Sequence, residues 1–106
     1  MQQFYCITVG MDEDQIDFVF KALAHPERRR ILDFLHRQGE QSLFEICAFS
    51  HAESGQPLAR QTVTQHLDML ERAGLIDVSW KGRTKAHSVN LGPLREAIGH
   101  AVGTYL

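Results

Sequence analysis

The sequence predicts a mainly α-helical fold with one small β-hairpin, in the order helix, helix, helix, helix, hairpin, helix. Three observations predict it. Apolar residues recur at three- and four-residue spacing through most of the chain, the period of helices that bury one face. Between Leu75 and Leu91 the pattern changes to alternation, around the turn-forming Lys81-Gly82-Arg83. A length of 106 residues holds a single domain, residues 1–106, with no room for a second.

The elements follow in order. Residues 1–10 carry Phe4, Tyr5, Ile7 and Val9 and read either as a short strand or as an arm that packs on a partner. A first helix runs over about residues 12–24, with Ile16, Val19, Phe20 and Leu23 on one face. His25-Pro26 interrupts it, because the residue before a proline disfavours the α region, and Pro26 then suits the first turn of a second helix. That helix sends Ile31, Phe34 and Leu35 inward and ends at Gly39. Ser42-Leu43-Phe44-Glu45 fits a capping box and starts a third helix, whose inner face is Leu43, Ile46 and Cys47. Residues 50–57, Ser-His-Ala-Glu-Ser-Gly-Gln-Pro, read as a turn-rich loop. A fourth helix covers about residues 59–73, with Val63, Leu67, Leu70 and Gly74 on one side and Gln61, Gln65, Asp68 and Arg72 on the other. Residues 75–80 and 84–91 form the two strands, with Ile76, Val78 and Trp80 sharing a face. Pro93 starts a last helix to about Thr104. Its Leu94, Ala97, Ile98, Ala101, Val102 and Tyr105 are too many apolar residues for an exposed terminal helix, so a second subunit is expected to cover it.

Composition narrows the classes. The formal net charge of −2 does not by itself suggest a nucleic-acid partner, but Lys81-Gly82-Arg83-Thr84-Lys85 concentrates positive charge at the hairpin tip. Two cysteines, Cys6 and Cys47, are too few for a disulfide scaffold and imply a reducing compartment. No apolar run approaches the roughly 18–20 residues that span a bilayer, and no secretory signal is visible. A cytoplasmic protein with no membrane partner is expected. The six histidines are scattered, and no serine or cysteine has a spaced base and orienter, so no catalytic residue, enzyme activity or cofactor is expected.

The chemistry lies in the third helix, the fourth helix and the hairpin. A helix that enters the DNA major groove needs short polar side chains near its N-terminus, where base edges come within reach. Gln61, Thr62, Thr64 and Gln65 are such side chains. Glutamine pairs bidentately with adenine, and threonine hydrogen-bonds or sets its methyl against thymine. Beside them, Lys81, Arg83 and Lys85 at the hairpin tip suit phosphates or a narrow minor groove. Arg28-Arg29-Arg30 reads either as a solvated helix face or as a phosphate contact. His66 lies nearer the apolar stripe than the polar face and reads as a half-buried histidine with one hydrogen bond.

Two segments carry a resemblance. Phe20-Lys-Ala-Leu-Ala-His-Pro-Glu-Arg-Arg-Arg-Ile-Leu-Asp-Phe-Leu35 resembles the second-helix signature of ArsR-type winged helix-turn-helix repressors of bacteria. Leu58-Ala-Arg-Gln-Thr-Val-Thr-Gln-His-Leu-Asp-Met-Leu-Glu-Arg-Ala-Gly-Leu-Ile76 resembles their recognition helix and the turn after it, and Gly82-Arg83 falls where their wing turns. The resemblance implies a homodimer joined through first and last helices, binding double-stranded DNA at an inverted repeat, usually repressing, and released by an inducer. It maps the base-reading positions onto Arg60, Gln61, Thr64 and Gln65, with Thr62 as a neighbour.

The sequence departs from that family in three places. The connection before the fourth helix is long; the N-cap is Ala59 in place of serine; and the metal-sensing motifs are absent, since only Cys47 stands in the third helix and only Glu96 and His100 in the last. No metal ligand is therefore assigned. Two other readings stand beside the repressor: a metal- or redox-responsive version using Cys6 and Cys47, and a winged-helix module that binds protein in place of DNA, which the net charge favours.

Overall fold

The computed structural model describes residues 12–54 and 59–106. The 1–10 segment, with Cys6, lies outside them. α1, Glu13–Leu23, begins where Asp12 accepts a hydrogen bond from the backbone N–H of Gln15, an N-cap that satisfies one orphan donor. Its buried residues are Ile16, Val19 and Ala22. Phe20 was expected on this face but stays 44% exposed. The cause is rotation: at 100° per residue it stands a full 100° from Val19, at the edge of the contact.

His25 caps α2, Pro26–Gln38: its Nδ1 accepts from the backbone N–H of Glu27 at 3.1 Å. Ile31, Leu32 and Leu35 point into the core and Phe34 is half-buried, stacked on Phe49 with ring centroids 4.2 Å apart. The three arginines each bond within the chain. Arg28 donates to the carbonyls of Ala22 and Lys21 at 2.7 and 2.8 Å, and Arg29 to that of Leu23 at 2.6 Å. Both add donors to the C-terminal carbonyls of α1, where positive charge is favoured. Arg30 pairs with Glu27 at 2.9 Å.

β1, Gln41–Ser42, is a short strand that the sequence did not reveal. Ser42 then opens α3, Leu43–Ser54, with the expected capping box: its backbone N–H donates to Glu45 at 2.8 Å and Glu45 N–H donates to Ser42 Oγ at 3.2 Å. Hydrogen bonding of the Glu45 carboxyl to the Ser42 backbone N–H, and then to its hydroxyl, holds it below its ordinary pKa. Ser42→Ala is expected to lower unfolding free energy by about 1 kcal/mol, the usual worth of an N-cap, read from the urea midpoint.

The expected loop at 50–57 is corrected in its first half. α3 continues to Ser54, and Ser50 is fully buried, small enough to sit under the helix one turn beyond Ile46. Residues 55–57 lie outside the described part. α4, Arg60–Arg72, buries Val63, Leu67 and Leu70, and its N-cap Ala59 makes no side-chain hydrogen bond. Gly74, at φ +77, closes it: Gly74 N–H reaches Glu71 and Leu75 N–H reaches Leu70, the paired bonds of a Schellman end.

β2, Ile76–Lys81, and β3, Thr84–Val89, pair antiparallel with Lys81 opposite Thr84, leaving Gly82-Arg83 as a two-residue loop. Gly82 at φ +67 supplies the left-handed backbone a tight hairpin requires. β1 joins the far edge of β3, so the hairpin is part of a three-stranded sheet in the order β1-β3-β2. α5, Gly92–Tyr105, carries proline in its first turn and packs against α1. Of its apolar residues only Ala97 is buried; Ile98, Val102 and Tyr105 are exposed. The core unites α1, α2, α3, α4 and the base of the sheet around Ile31, Leu35, Ile46, Val63, Leu70 and Leu75. No helix among the described residues is long and apolar enough to cross a membrane.

Candidate nucleic-acid interface

α4 sorts its side chains by angle. Val63, Leu67 and Leu70 fix its inner face, so Gln61 and Gln65 project within about 30° of the outward direction. Both are exposed, as are Arg60 and Thr64, while Thr62 is half-buried. Arg60 and Thr64, four residues apart, form a row turned toward the hairpin. An open groove of about 530 Å³ runs between this row and the sheet, and Arg83 and Lys85 line its opposite wall. Thus Arg60, Thr64, Arg83 and Lys85 come together around one cleft, and Gln61 and Gln65 stand on the crest beside it.

Lys81 stands apart. β-strand alternation puts it with Ser79 on the other face of the hairpin, where its Nζ lies 3.5 Å from Glu40 and Ser79 donates to Glu40 at 3.4 Å. Lys85 shares the groove face with its cross-strand partner Trp80, its Nζ 6.0 Å from the ring centroid. Trp80 and Phe44 also line the groove and remain 65% and 82% exposed. The sequence reading gave neither a role. Alternation placed Trp80 on the Ile76 face, and the signal missed was that this face outruns the core at the hairpin's outer end.

The other flank of α4 meets α2 and α1. His66 is half-buried, as expected, and accepts from Arg28 Nη1 at 3.4 Å while its ring lies 4.5 Å from that of His25. Arg72 rests over the Phe18 ring at 5.1 Å. Burial, then His25 and Arg28, push the His66 pKa below its ordinary 6.5, against a smaller opposing pull from Glu27. The unfolded chain therefore takes up this proton before the folded one as pH falls. Stability from this group is present above about pH 6.5 and is lost as pH drops below it. Urea midpoints measured from pH 7 to pH 5 are expected to fall less steeply in His66→Gln than in the natural chain.

Cys47 packs against the core, and burial raises its pKa against a smaller opposite pull from Arg60, so the thiol form is favoured over the thiolate. Cys6 lies outside the described residues. Among those residues no group of three or more His, Cys, Asp or Glu is placed to hold a metal ion.

A helical pair ending in an exposed polar reading face, flanked by a basic hairpin, defines a winged helix-turn-helix protein. A helix-turn-helix domain family matches residues 23–79. The chain is 34% identical over 82 residues to the uncharacterised HTH-type transcriptional regulator YuzN of Bacillus subtilis, covering 77% of this chain and 89% of YuzN. It is 32% identical over 80 residues to the transcriptional repressor SdpR of the same organism, covering 76% of this chain and 81% of SdpR. Its structure is similar to the solution structure of the homodimeric winged helix-turn-helix DNA-binding domain Mb0332 of Mycobacterium bovis, a possible ArsR-family regulator. There the TM-score is 0.64 at 25% identity, covering 91% of this chain and 89% of that one. The chain belongs to the helix-turn-helix family of transcriptional regulators, and its fold is that of the ArsR type.

Proposed function

We propose that this chain is a sequence-specific DNA-binding repressor that works as a homodimer on an inverted-repeat operator. The observation that carries the reading is the convergence of an outward polar row on α4 with the cations of the hairpin across one groove. Gln61, Thr64 and Gln65 read base edges, with Arg60 and Thr62 beside them. Arg83 and Lys85 hold phosphates, and Lys81 adds charge to the tip from its place beside Glu40. The apolar side chains left exposed on α1 and α5, Phe20, Ile98, Val102 and Tyr105, supply the face for a second copy. SdpR, named a repressor, and the homodimeric Mb0332 domain support both halves of this reading. The whole of residues 1–106 serves as one DNA-binding unit in the cytoplasm, and it acts by occupying DNA, not by catalysis.

Selection from random duplexes at about 0.15 M salt, followed by sequencing, tests the proposal. An enriched inverted repeat with half-sites about one helical turn apart is expected. No enrichment by demonstrably folded protein overturns it.

A further inference from the structure

The groove between α4 and the hairpin holds more than DNA contact requires. Its volume of about 530 Å³ lies in the range of small-molecule sites, and its walls combine Phe44, Trp80 and Leu67 with Arg60, Arg83 and Lys85. Phosphates laid across the rim reach the three cations but offer nothing to two exposed aromatic rings. Both rings sit in water at a free-energy cost that an apolar occupant removes. The cations are in no ion pair among the described residues. Asp68 and Glu71 also line the groove. Helical rise puts them about 12 and 16 Å from Arg60 along α4, so the far end of the cleft repels negative charge.

We infer that this groove is an effector site for a small flat monoanion, an aromatic carboxylate, whose ring lies between Phe44 and Trp80 and whose carboxylate meets Arg60 and Arg83. Arg60, Thr64, Arg83 and Lys85 belong to the proposed DNA face as well, so occupant and duplex exclude each other and the anion releases the protein from DNA. This second step rests on the function proposed above; binding of the anion does not.

Trp80 is the one tryptophan in the chain, so its indole N–H gives a single resonance that reports the groove directly. The test titrates ¹⁵N-labelled full-length protein, without DNA, with 2-naphthoate, 2-naphthalenemethanol and 2,6-naphthalenedicarboxylate. 2-Naphthoate is expected to shift the indole resonance saturably and to bind roughly tenfold tighter than the alcohol, the worth of one charge-assisted hydrogen bond. The dicarboxylate is expected to bind more weakly than 2-naphthoate, because its second charge meets Asp68 and Glu71. Arg83→Gln and Phe44→Ala, both changes at exposed positions, are each expected to weaken 2-naphthoate severalfold. Equal binding of acid and alcohol, an unsaturable shift, or full affinity in Phe44→Ala overturns the site. The last arm adds 2-naphthoate to protein bound to its selected duplex. Release whose midpoint rises with DNA concentration and extrapolates to the DNA-free constant supports exclusion, and saturation with DNA still bound overturns it. Protein that takes 2-naphthoate but selects no DNA sinks the repressor reading and leaves the site standing.

Discussion

Leu70→Ala lowers the unfolding free energy by about 3–4 kcal/mol, because Leu70 is completely buried where α4 meets α2 and the sheet. Lost transfer energy and the cavity left behind both contribute, and the site has little room to collapse: Val63, Leu75 and Ile31 around it are equally buried. For a chain of this length that is a large share of total stability, and it corresponds to a fall in Tm of roughly 10–20 °C. Leu70→Met, which keeps the volume, is expected to cost less than about 1.5 kcal/mol. Both are measured by urea unfolding at one fixed protein concentration, because subunit association would make the midpoint concentration-dependent. A loss below about 1 kcal/mol in Leu70→Ala would mean that α4 does not anchor the core as described.

Gln61→Ala and Arg83→Ala are expected to injure DNA binding in different ways. Gln61 stands on the outward crest of α4, so its loss removes discrimination at one base position in each half-site, worth about 1–3 kcal/mol there, and relaxes the selected motif. Arg83 sits in the hairpin loop, so its loss weakens binding to all sequences alike. It also lowers the slope of log affinity against log salt by about one per subunit. Affinities over a panel of single-base operator variants at several salt concentrations separate the two patterns. Indistinguishable profiles would refute this division of labour.

α1, α2 and α4 were legible because each buries one face, and a buried face writes a period into the sequence. Pro26, Ser42, Gly39 and Gly74 then marked the ends, since each meets a local backbone need that only a few residue types satisfy. The misses share a different cause. β1 spans two residues, too short for any alternation, and exists only because β3 offers it an unpaired edge. The run from Ser50 to Ser54 is polar enough to pass for a turn, yet the α3 backbone ladder carries through it. The roles of Arg28 and Arg29 depend on how sharply the chain bends at His25-Pro26, which no local pattern records. The eight side chains proposed to touch DNA are named from the sequence alone. Which of them share a cleft was not legible there, because Arg60 and Arg83 meet only through the register of a hairpin 16 residues further along, and that same register turns Lys81 away toward Glu40.

Arg28 also bears on how the proposed dimer would measure its target. One guanidinium is bonded to two carbonyls at the end of α1 and to His66 on α4, while its backbone belongs to α2. α1 carries part of the face offered to the second copy, and α4 is the reading helix. In the proposed dimer the angle from subunit seam to reading head is thus braced at a triple junction, which favours a fixed caliper over a hinged pair of tongs. A caliper tolerates a wrong letter better than a wrong gap: inserting one base pair between half-sites moves the second by about 3.4 Å and turns it by about 35° around the duplex. Operators of the proposed dimer are therefore expected to be defined by their spacing at least as strictly as by their sequence.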